Sequence, residues 1–253
     1  MDTNDYLLFA GENQTPEIFY TLEGEGRFAG EPSVFFRLFG CNLTCQGFKS
    51  ESSPYGCDSY VSWSKKNKLT FTETFDLIEK NNFVTALERG AIMKITGGEP
   101  LLRQEPLIEF VKAFAVKYNF VPRIDFETNG TIVPDPSWVN IFNATFTVSP
   151  KLTNNGDSVE KRYNPKALRA HVELNSCFKF VVKTRTDVAE ILDKYVNAPD
   201  IKVPRSLVWL MPCCGSREEQ IKVIGELADI CKEHTFKMSP RLHLFIWDKA
   251  LRV

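Results

Sequence analysis

Short runs rich in β-branched and aromatic residues alternate along the chain with longer segments of helical periodicity. The predicted strands are Ser33–Leu38, Ala91–Thr96, Arg123–Phe126, Thr145–Val148, Phe178–Val182 and Leu207–Met211. The predicted helices are Thr72–Glu79, Pro106–Tyr118, Pro136–Phe142, Pro165–Ala170, Val188–Val196 and Ser216–His234. Repeated strand–helix units predict a mostly parallel sheet with right-handed crossovers. These units are fewer than the eight of a closed barrel, so we expect an α/β fold shaped as an open partial barrel.

Local signals support this division of the chain. Thr70 and Thr72 are candidate N-caps of the first helix, and Ser216, with Glu219 three residues later, is a candidate N-cap of the last one. The segment LTNNGDSVEKRYNPK at 152–166 is polar and turn-rich, which predicts a surface loop and not a domain linker. We find no internal repeat and no low-complexity tract, so we predict a single domain over residues 1–253.

Polar, glycine-rich or cysteine-bearing segments follow the predicted strands. Gly40 and Cys41 come after the first, TGGEP at 96–100 after the second, ETNG at 127–130 after the third and SPK at 149–151 after the fourth. Ligands of parallel α/β proteins bind at the carboxyl ends of the strands. Taken alone, GGEP and ETNG are more typical of tight turns, and Lys151 of a solvated side chain. Their recurrence at one edge of the sheet predicts a functional site there.

Composition narrows the class of protein. The chain has 253 residues, of which 43% are hydrophobic and 25% charged, with a net charge of -1. These are values of an ordinary globular protein, and they argue against broad electrostatic binding to nucleic acid. The N-terminus lacks a basic start followed by an apolar core, and no apolar run approaches the roughly 20 residues that cross a bilayer. We therefore expect a cytoplasmic protein with reduced thiols.

The odd number of cysteines, 7, does not predict a disulfide framework. Cys177 and Cys231 lie in apolar or helical segments and are predicted to be core thiols. Cys213 and Cys214 are adjacent, so their side chains diverge, and a structural role is favoured for them over a place in a loop near the site. The remaining cysteines, Cys41, Cys45 and Cys57, are close together in the sequence.

The spacing of Cys41, Cys45 and Cys57 leaves three interpretations open: a [4Fe–4S] cluster, core thiols or a zinc site. A structural zinc ion normally takes four protein ligands, and no further cysteine or histidine lies nearby in the sequence. Three thiolates suit a [4Fe–4S] cluster in which one iron is left for another ligand.

Together, these motifs resemble the radical S-adenosylmethionine superfamily. That superfamily normally has CxxxCxxC, followed by a GGEP-type and an ETNG-type segment. The stretch FYTLEGEGRFAGEPSVFFRLFGCNLTC at 19–45 is similar to the N-terminal signature of the 7-carboxy-7-deazaguanine synthase family within it. Further similar segments are CDS at 57–59, TGGEPLL at 96–102, VSPK at 148–151, FKFVV at 178–182, LMP at 210–212 and SPRLHLFIW at 239–247. The resemblance thus covers nearly the whole chain.

The resemblance implies a partial (β/α)6 barrel and a lyase reaction. The enzyme would convert 6-carboxy-5,6,7,8-tetrahydropterin to 7-carboxy-7-deazaguanine with loss of ammonia, in 7-deazapurine biosynthesis of the queuosine type. The implied cofactors are a [4Fe–4S] cluster, S-adenosylmethionine and Mg²⁺, and the implied partners are an electron donor such as flavodoxin and a second copy of the chain. The alternatives are a radical activase acting on another substrate and a non-catalytic metal-binding module.

The resemblance also assigns roles to individual residues. Cys41, Cys45 and Cys57 would hold the cluster and Ser59 the Mg²⁺. The substrate residues would be Leu22, Glu23, Gly24, Arg37, Thr96 and Val253, and those for S-adenosylmethionine Gly98, Glu127, Asn129, Ser149, Pro150 and Lys151. Without the resemblance, Arg37 is better interpreted as half of an ion pair. This chain departs from the family pattern in having Glu23 for Gln, Ser59 for Thr and a cluster loop lengthened by an insertion at about 46–56.

Overall fold

The computed structural model describes residues 5–12, 15–49, 54–57 and 59–250, without the side chains of residues 61 and 62. Val253 and residues 50–53 of the predicted insertion lie outside the described residues. The strands are β1 (Tyr6–Ala10), β2 (Ile18–Leu22), β3 (Pro32–Leu38), β4 (Lys66–Thr70), β5 (Ile92–Gly97), β6 (Arg123–Thr128), β7 (Thr145–Val148), β8 (Cys177–Val182), β9 (Val208–Pro212) and β10 (Lys237–Met238).

The α-helices are α1 (Tyr60–Trp63), α2 (Phe71–Lys80), α3 (Phe83–Glu88), α4 (Gln104–Tyr118), α5 (Ser137–Asn140), α6 (Val159–Arg162), α7 (Pro165–Glu173), α8 (Arg185–Ile191), α9 (Arg217–His234) and α10 (Leu242–Trp247). Short 3-10 turns lie at Gly26–Phe28, Gln46–Phe48, Pro100–Arg103, Thr153–Asn155 and Arg205–Leu207, and α8 continues as a π-helix over Leu192–Val196. None of the helices in the described ranges is both long and apolar enough to span a membrane.

One sheet organises the molecule, in the order β10-β9-β8-β7-β6-β5-β3-β1-β4. The strands from β3 through β5 to β10 run parallel to their neighbours. On the other side, β2 and β1 pair antiparallel with β3, and β4 pairs antiparallel with β1. Within the described residues β4 and β10 stand at the two ends of this order, and the barrel stays open. The predicted α/β fold with a mostly parallel, unclosed sheet is confirmed.

The two faces of the parallel strands have different chemistry because successive side chains of a strand point to opposite sides. Val34, Phe36, Ile95, Phe126 and Phe146 are buried in the hydrophobic core. This face packs against helices: the rings of Phe36 and Phe110 lie 6.1 Å apart and those of Phe126 and Trp138 4.6 Å apart. The alternate positions form the inner face of the barrel and are largely polar: Lys94, Thr96, Asp125, Glu127, Thr145, Thr147 and Lys179. The sheet is thus a helix-covered shell around a polar interior.

The predicted elements agree with the observed ones, with differences at the ends and two corrections. The helix predicted over Pro136–Phe142 is only α5, and Thr70, not Thr72, caps α2 through a reciprocal capping box with Glu73. Ser216 caps α9 as predicted, accepting a hydrogen bond from the backbone of Glu219. The sequence patterns did not predict the antiparallel strands β1, β2 and β4, the two-residue β10 and the short helices α1, α3, α6 and α10.

Much of the segment 152–166 lies at the surface, as predicted, since residues 156 and 158–161 are exposed, but three of its side chains are buried. Leu152, Asn155 and Arg162 are 1%, 0% and 3% exposed. Arg162 donates to the carbonyl of Lys151 and to the carboxylate of Glu190 at 2.8 and 3.0 Å. These contacts anchor the segment to the molecule, and the buried polar groups are stable because hydrogen bonds satisfy them.

Candidate active site

The end of β5 lies against the end of β3. The backbone NH of Glu99 donates to the carbonyl of Gly40 at 2.8 Å. A Cβ atom at Gly98 would stand 2.1 Å from that carbonyl oxygen, and one at Gly97 2.2 Å from the carbonyl oxygen of Leu38. Both glycines are therefore required by the close approach of two backbone segments. This contact places the GGEP segment directly beside the loop that carries Cys41.

Glu99 ties GGEP to the next strand end. Its side chain, 2% exposed, accepts hydrogen bonds from the backbone NH of Leu101 at 3.0 Å, the Thr128 hydroxyl at 2.8 Å and the backbone NH of Asn129 at 2.7 Å. Burial raises the pKa of Glu99 to about 7, although these hydrogen bonds oppose the shift. The carboxylate thus acts as a structural link between two of the predicted ligand-binding segments.

Asn129 connects the ETNG segment to the cysteine loop. Its amide nitrogen donates to the side-chain oxygen of Asn42 at 2.8 Å and lies 4.0 Å from the sulfur of Cys41. Its amide oxygen accepts from the backbone NH and hydroxyl of Thr131 at 2.9 and 2.6 Å. The orientation of Asn129 is therefore fixed on both sides.

The segment after β7 joins the same edge. The backbone NH of Ser149 donates to the carbonyl of Thr128 at 2.7 Å, and the Lys151 ammonium donates to the Ser149 hydroxyl at 2.9 Å. Pro150 between them is buried. The predicted S-adenosylmethionine residues of β5, β6 and β7 thus lie in consecutive strand-end segments, joined by hydrogen bonds.

The chain returns to Cys45 after the predicted insertion. A Cβ atom at Gly56 would stand 2.5 Å from the carbonyl oxygen of Cys45, so Cys57 follows directly on a backbone contact with Cys45. Cys45 is buried, whereas Cys41 and Cys57 are partly exposed. In the described part of the chain, no three histidine, cysteine or acidic side chains surround one point where a single ion would sit. A cluster that places each thiolate on its own iron does not require such convergence.

Each of these sulfurs faces an N–H donor. The amide of Asn155 lies 3.6 Å from the sulfur of Cys45, and the indole nitrogen of Trp63 lies 3.4 Å from that of Cys57. The backbone NH of Leu43 lies 3.4 Å from the sulfur of Cys41. Burial raises the pKa of the Cys41 thiol to about 11. Donors aimed at sulfur favour the thiolate, the form that binds metal.

The LEGEG segment crosses the inner face of the sheet. It runs from the end of β2 at Leu22 through Gly26–Phe28. Its contacts reach three parallel strands and the C-terminal segment: Glu23 with Lys94 (2.6 Å), Glu25 with Lys179 (2.5 Å) and Arg241 (2.9 Å), Gly26 NH with the Ser239 hydroxyl (2.7 Å), and Arg27 with the Phe146 carbonyl (2.7 Å). The predicted substrate-contacting stretch therefore bridges the two halves of the barrel.

Two buried lysines hold the acidic side chains of the interior. Lys94 contacts Glu23 and, at 2.8 Å, Asp125, whereas Lys179 contacts Glu25 and Glu127. Burial alone would lower the pKa of Lys94, but Asp125 and Glu23 raise it well above its ordinary value. The two lysines are therefore protonated at neutral pH and bind carboxylates on both sides.

The interior carboxyl groups differ in their titration. Burial raises the pKa of Glu23, with Lys94 acting in the opposite direction. Burial would also raise the pKa of Glu127, but Lys179 and Lys94 overcome it and lower that pKa to about 2. The resulting surface combines fixed cations and anions with hydroxyl groups, which suits a polar heterocycle.

Arg37 takes part in an ion pair. Its Nε lies 2.8 Å from a carboxylate oxygen of Glu17, as the interpretation without the family resemblance predicts. Arg37 is also the direct neighbour of Thr96 across β3 and β5. Thr96 donates its hydroxyl to Glu127 at 3.2 Å. Arg37, Thr96 and Glu127 thus connect the ion pair to the polar interior.

The C-terminal segment covers Gly24. A Cβ atom at Gly24 would stand 2.2 Å from the Nδ1 atom of His243, and the backbone NH of Leu242 donates to the Gly24 carbonyl at 2.8 Å. Any larger residue at position 24 would therefore displace the side chain of His243. Ser59 is the N-cap residue of α1.

The sequence analysis missed the charged residues of the interior, which are Glu25, Arg27, Lys94, Asp125, Lys179, Arg241 and His243. Alternation gave a usable signal, since Lys94 and Thr96, Asp125 and Glu127, and Thr145 and Thr147 occupy every second position of apolar strands. The other cysteines agree with the predicted structural role: Cys177, Cys214 and Cys231 are 0%, 8% and 6% exposed, and Cys213 is partly exposed.

Comparison with known proteins identifies the family. The chain is 31% identical over 254 residues to a 7-carboxy-7-deazaguanine synthase of Halobacterium salinarum, covering 92% of this chain and 90% of that protein. The chain belongs to the 7-carboxy-7-deazaguanine synthase family. The family's proteins in Pyrobaculum aerophilum and Hyperthermus butylicus are 31% and 32% identical, with 92% and 91% of this chain covered and 94% and 91% of theirs. No general protein-family model matches the chain.

Structural similarity agrees with this assignment. The crystal structure of QueE from Escherichia coli superimposes with a TM-score of 0.65, covering 93% of this chain and 95% of that one at 22% identity. This likeness confirms the predicted α/β fold with a mostly parallel, open sheet. The family predicted from the sequence is confirmed, and with it the enzymatic function of a 7-carboxy-7-deazaguanine synthase.

Proposed function

We propose that this synthase converts 6-carboxy-5,6,7,8-tetrahydropterin to 7-carboxy-7-deazaguanine, with loss of ammonia, for 7-deazapurine biosynthesis of the queuosine type. The observation that carries the proposal is the meeting of three features: the cysteine loop at the end of β3, the linked strand-end segments 97–99 and 127–129, and the LEGEG segment across the polar interior. Family membership supports the same reaction.

The chemistry of the cysteines fits a [4Fe–4S] cluster. Cys41, Cys45 and Cys57 supply thiols, N–H donors face their sulfurs, and Gly98 leaves room beside the Cys41 side chain, where a Cβ atom would stand 2.8 Å from that of Cys41. With Cys41, Cys45 and Cys57 holding it, the cluster together with S-adenosylmethionine would supply the radical chemistry of the reaction. The insertion over 46–56 is proposed to form part of this cluster loop within a single-domain chain.

The residues for S-adenosylmethionine are proposed to be Gly98, Glu127, Asn129 and the Ser149–Lys151 segment. Glu99 supports this assignment because it fixes the backbone of Asn129 next to the cysteine loop. Lys151 carries a positive charge toward the same edge and donates to Ser149. These groups would orient the amino, carboxylate and ribose parts of the cofactor by hydrogen bonding and charge.

The pterin is proposed to lie against Leu22, Glu23, Gly24, Arg37 and Thr96. A guanidinium group suits a carboxylate ligand, so Arg37 would bind the substrate carboxylate while Glu17 holds its Nε. Glu23 is an acceptor when ionised and suits the N–H donors of an aminopyrimidine. Lys94 supports that role because it pairs with Glu23 and favours its charged form.

Mg²⁺, a hard ion that prefers oxygen ligands, is proposed to bind beside the substrate carboxylate through Ser59. Val253 is proposed as a further substrate contact through its terminal carboxylate. A homodimer, a cytoplasmic location and reduction by an electron donor such as flavodoxin complete the proposal.

The proposal is tested by anaerobic reconstitution with iron and sulfide, followed by incubation with reductant, S-adenosylmethionine and carboxytetrahydropterin. We expect the deazaguanine product and ammonia, with no turnover by Cys57→Ala. Adding Mg²⁺ should raise the rate, and a matched titration of Ser59→Ala should require more Mg²⁺ for the same rate. Cleavage of S-adenosylmethionine without deazaguanine would instead support a radical enzyme with a different substrate, such as an activase.

A further inference from the structure

The loop after β7 binds the backbone of Cys45 through Asp157. Asp157 accepts hydrogen bonds from the backbone NH of Cys45 at 2.9 Å and from the backbone NH and hydroxyl of Thr44 at 3.1 and 2.7 Å. Burial would raise the pKa of Asp157, but these bonds lower it below its ordinary value. Cys45 itself has left-handed backbone geometry, with φ of 51°. Asp157 therefore fixes an unusual backbone conformation at one of the three cysteines.

Asn155 is the most firmly placed of the donors that face a sulfur. It is 0% exposed, and its amide nitrogen also donates to Asp157 at 2.9 Å. Its amide oxygen accepts from the backbone NH of Asp157 at 2.9 Å. With the oxygen occupied in this way, the NH₂ group is directed at Cys45 and Asp157.

Packing keeps this arrangement rigid. A Cβ atom at Gly47 would stand 2.1 Å from the carbonyl oxygen of Asn154, so the turn after Cys45 lies flat on the Thr153–Asn155 turn. Trp63 is fixed in a similar way, since its ring meets that of Tyr60 edge to face at 5.0 Å and its carbonyl accepts from the backbone NH of Gly40. Asn155 and Trp63 thus belong to two separate supports, each directed at a different cysteine.

Hydrogen bonds to the sulfurs of an iron–sulfur cluster are among the groups that set its reduction potential. A donor stabilises the reduced cluster more than the oxidised one, because the reduced cluster carries one more electron and its sulfurs are more negative. We propose that Asn155 and Trp63 raise the reduction potential of the cluster bound by Cys41, Cys45 and Cys57, through N–H···S bonds to Cys45 and Cys57. This inference rests on the proposed function, since it requires the cluster.

The test compares reconstituted wild type with Asn155→Leu and Trp63→Phe, which remove the N–H donor. Leucine keeps the branched shape of asparagine, and phenylalanine keeps an aromatic ring. Each cluster is titrated with titanium(III) citrate, a low-potential one-electron reductant, while the reduced form is counted by electron paramagnetic resonance. We expect the cluster of each variant to have a lower reduction potential. At the same solution potential, the ratio of oxidised to reduced cluster should be roughly tenfold higher, which corresponds to a shift of about 59 mV for one electron. The double variant should show the sum of the two shifts.

Asn154→Leu is the matched control. Asn154 lies on the same turn, but its amide donates to the carbonyl of Val181 at 3.1 Å and not to a cysteine. The reduction potential of the cluster in Asn154→Leu should equal that of the wild type. An unchanged potential in Asn155→Leu or Trp63→Phe, with full iron and sulfide content, overturns the role of that residue. An equal shift in Asn154→Leu overturns the assignment to Asn155.

Loading of the cluster separates this inference from the proposed function. If wild type takes up no [4Fe–4S] cluster, the proposed function fails, whatever the variants do. If only Asn155→Leu fails to take up the cluster, the reduction potential of Trp63→Phe decides whether N–H···S bonding sets the potential. If neither variant loads, nitrogen coupling to the reduced wild-type cluster is measured by pulsed electron paramagnetic resonance with ¹⁵N-labelled tryptophan and asparagine. If neither label shows coupling to the cluster, the proposal is overturned. Coupling to a side-chain nitrogen of either residue supports it.

Discussion

The cysteine rim and the barrel interior are held together by different forces. At the rim, which comprises the cysteine loop and segments 97–99, 128–131 and 153–157, neutral amides and hydroxyls make most of the contacts around two buried or partly buried carboxylates, Glu99 and Asp157. In the interior, Lys94 and Lys179 bind carboxylates directly. The rim is therefore suited to fixing positions near a cofactor, whereas the interior can present charge to a substrate.

The interior and the rim should therefore respond differently to substitutions. Removing one member of a buried ion pair leaves an uncompensated charge in a medium that solvates it poorly, which costs more than the loss of one neutral hydrogen bond. The rim instead depends on close approach of backbones, so it should be disturbed by added atoms and by changes in the ionisation of Glu99. The following experiments separate these two kinds of stability.

The largest loss is expected for Lys94→Met. It leaves Glu23 and Asp125 buried without their common cation, which should lower the free energy of unfolding by about 3–5 kcal/mol. Denaturant unfolding of the cofactor-free protein measures this change. The double variant Lys94→Met/Glu23→Gln should recover part of the loss because glutamine carries no charge.

Lys112→Met is the control for that experiment. Lys112 pairs with Glu109 on the surface of α4, where the two side chains are 49% and 51% exposed, so its loss should cost no more than about 1 kcal/mol. Equal losses for Lys94→Met and Lys112→Met would contradict the distinction between interior and surface.

The next effect is a pH dependence at the rim. Glu99 has a folded pKa of about 7, above its ordinary value of 4.5. Folding therefore favours its protonated form: the stabilisation is fully present below about pH 4.5 and is lost as the pH rises through 7. Unfolding free energies of wild type and Glu99→Gln are measured from pH 8 to 4.5. Their difference should change by on the order of 3 kcal/mol in favour of wild type as the pH falls; parallel curves would exclude this role.

Gly98→Ala should disturb the rim by steric contact. The added methyl would meet the Gly40 carbonyl oxygen at 2.1 Å, and we expect a loss of about 2–3 kcal/mol together with lower iron incorporation. Gly225→Ala is the control, since a Cβ atom at that position in α9 has no atom within 4 Å. It should increase stability by about 0.5–1 kcal/mol because alanine favours a helix. Normal iron content in Gly98→Ala would show that the segments around Gly98 and Gly40 can separate enough to accommodate the methyl group.

The smallest effect is expected for Thr147→Val. The hydroxyl of this buried residue donates to Asp125 at 3.0 Å, and its removal leaves the contacts of Asp125 with Lys94 and Thr145 in place. A loss of about 1 kcal/mol in thermal unfolding is expected. Thr85→Val, at an exposed position of α3, should change stability by less than about 0.5 kcal/mol. If Thr147→Val lowered the stability as much as Lys94→Met does, the Thr147 hydroxyl would stabilise Asp125 as strongly as the Lys94 ammonium, contrary to this prediction.

The parallel half of the fold was predictable because its strands are apolar, β-branched or aromatic runs separated by amphipathic helices. The antiparallel strands β1 and β2 were not, since YLLFA and IFYTL are short and give no clear alternation. The place of β1 depends on pairing with β4, which lies far along the sequence, and that of β2 on pairing with β3, the next strand in the chain. At 152–166 the polar pattern did not predict the burial of Asn155 and Arg162, which contact Cys45 and Glu190 in other parts of the sequence.

The site was predictable where short motifs lie at strand ends, as at Gly97–Gly98 and Glu127–Asn129. The pairing of Lys94 with Glu23 was not, because the two residues are on different strands or segments and meet only when the LEGEG segment crosses the sheet. Polar alternation in β5, β6 and β7 indicated a polar inner face, but it did not show which charges are partners. Charge pairing across a barrel depends on three-dimensional register, which spacing along one strand does not contain.

The crossing of the LEGEG segment has a consequence for how the protein is made. Glu25 contacts Arg241, and the Gly26 backbone contacts Ser239, so these contacts join residues that are synthesised 216 and 213 positions apart. Nascent domains fold as their parts emerge, but the LEGEG segment cannot reach its final contacts before residues 239–241 have emerged from the ribosome. Chains truncated before residue 239 should therefore form the parallel strands and still lack these contacts across the interior.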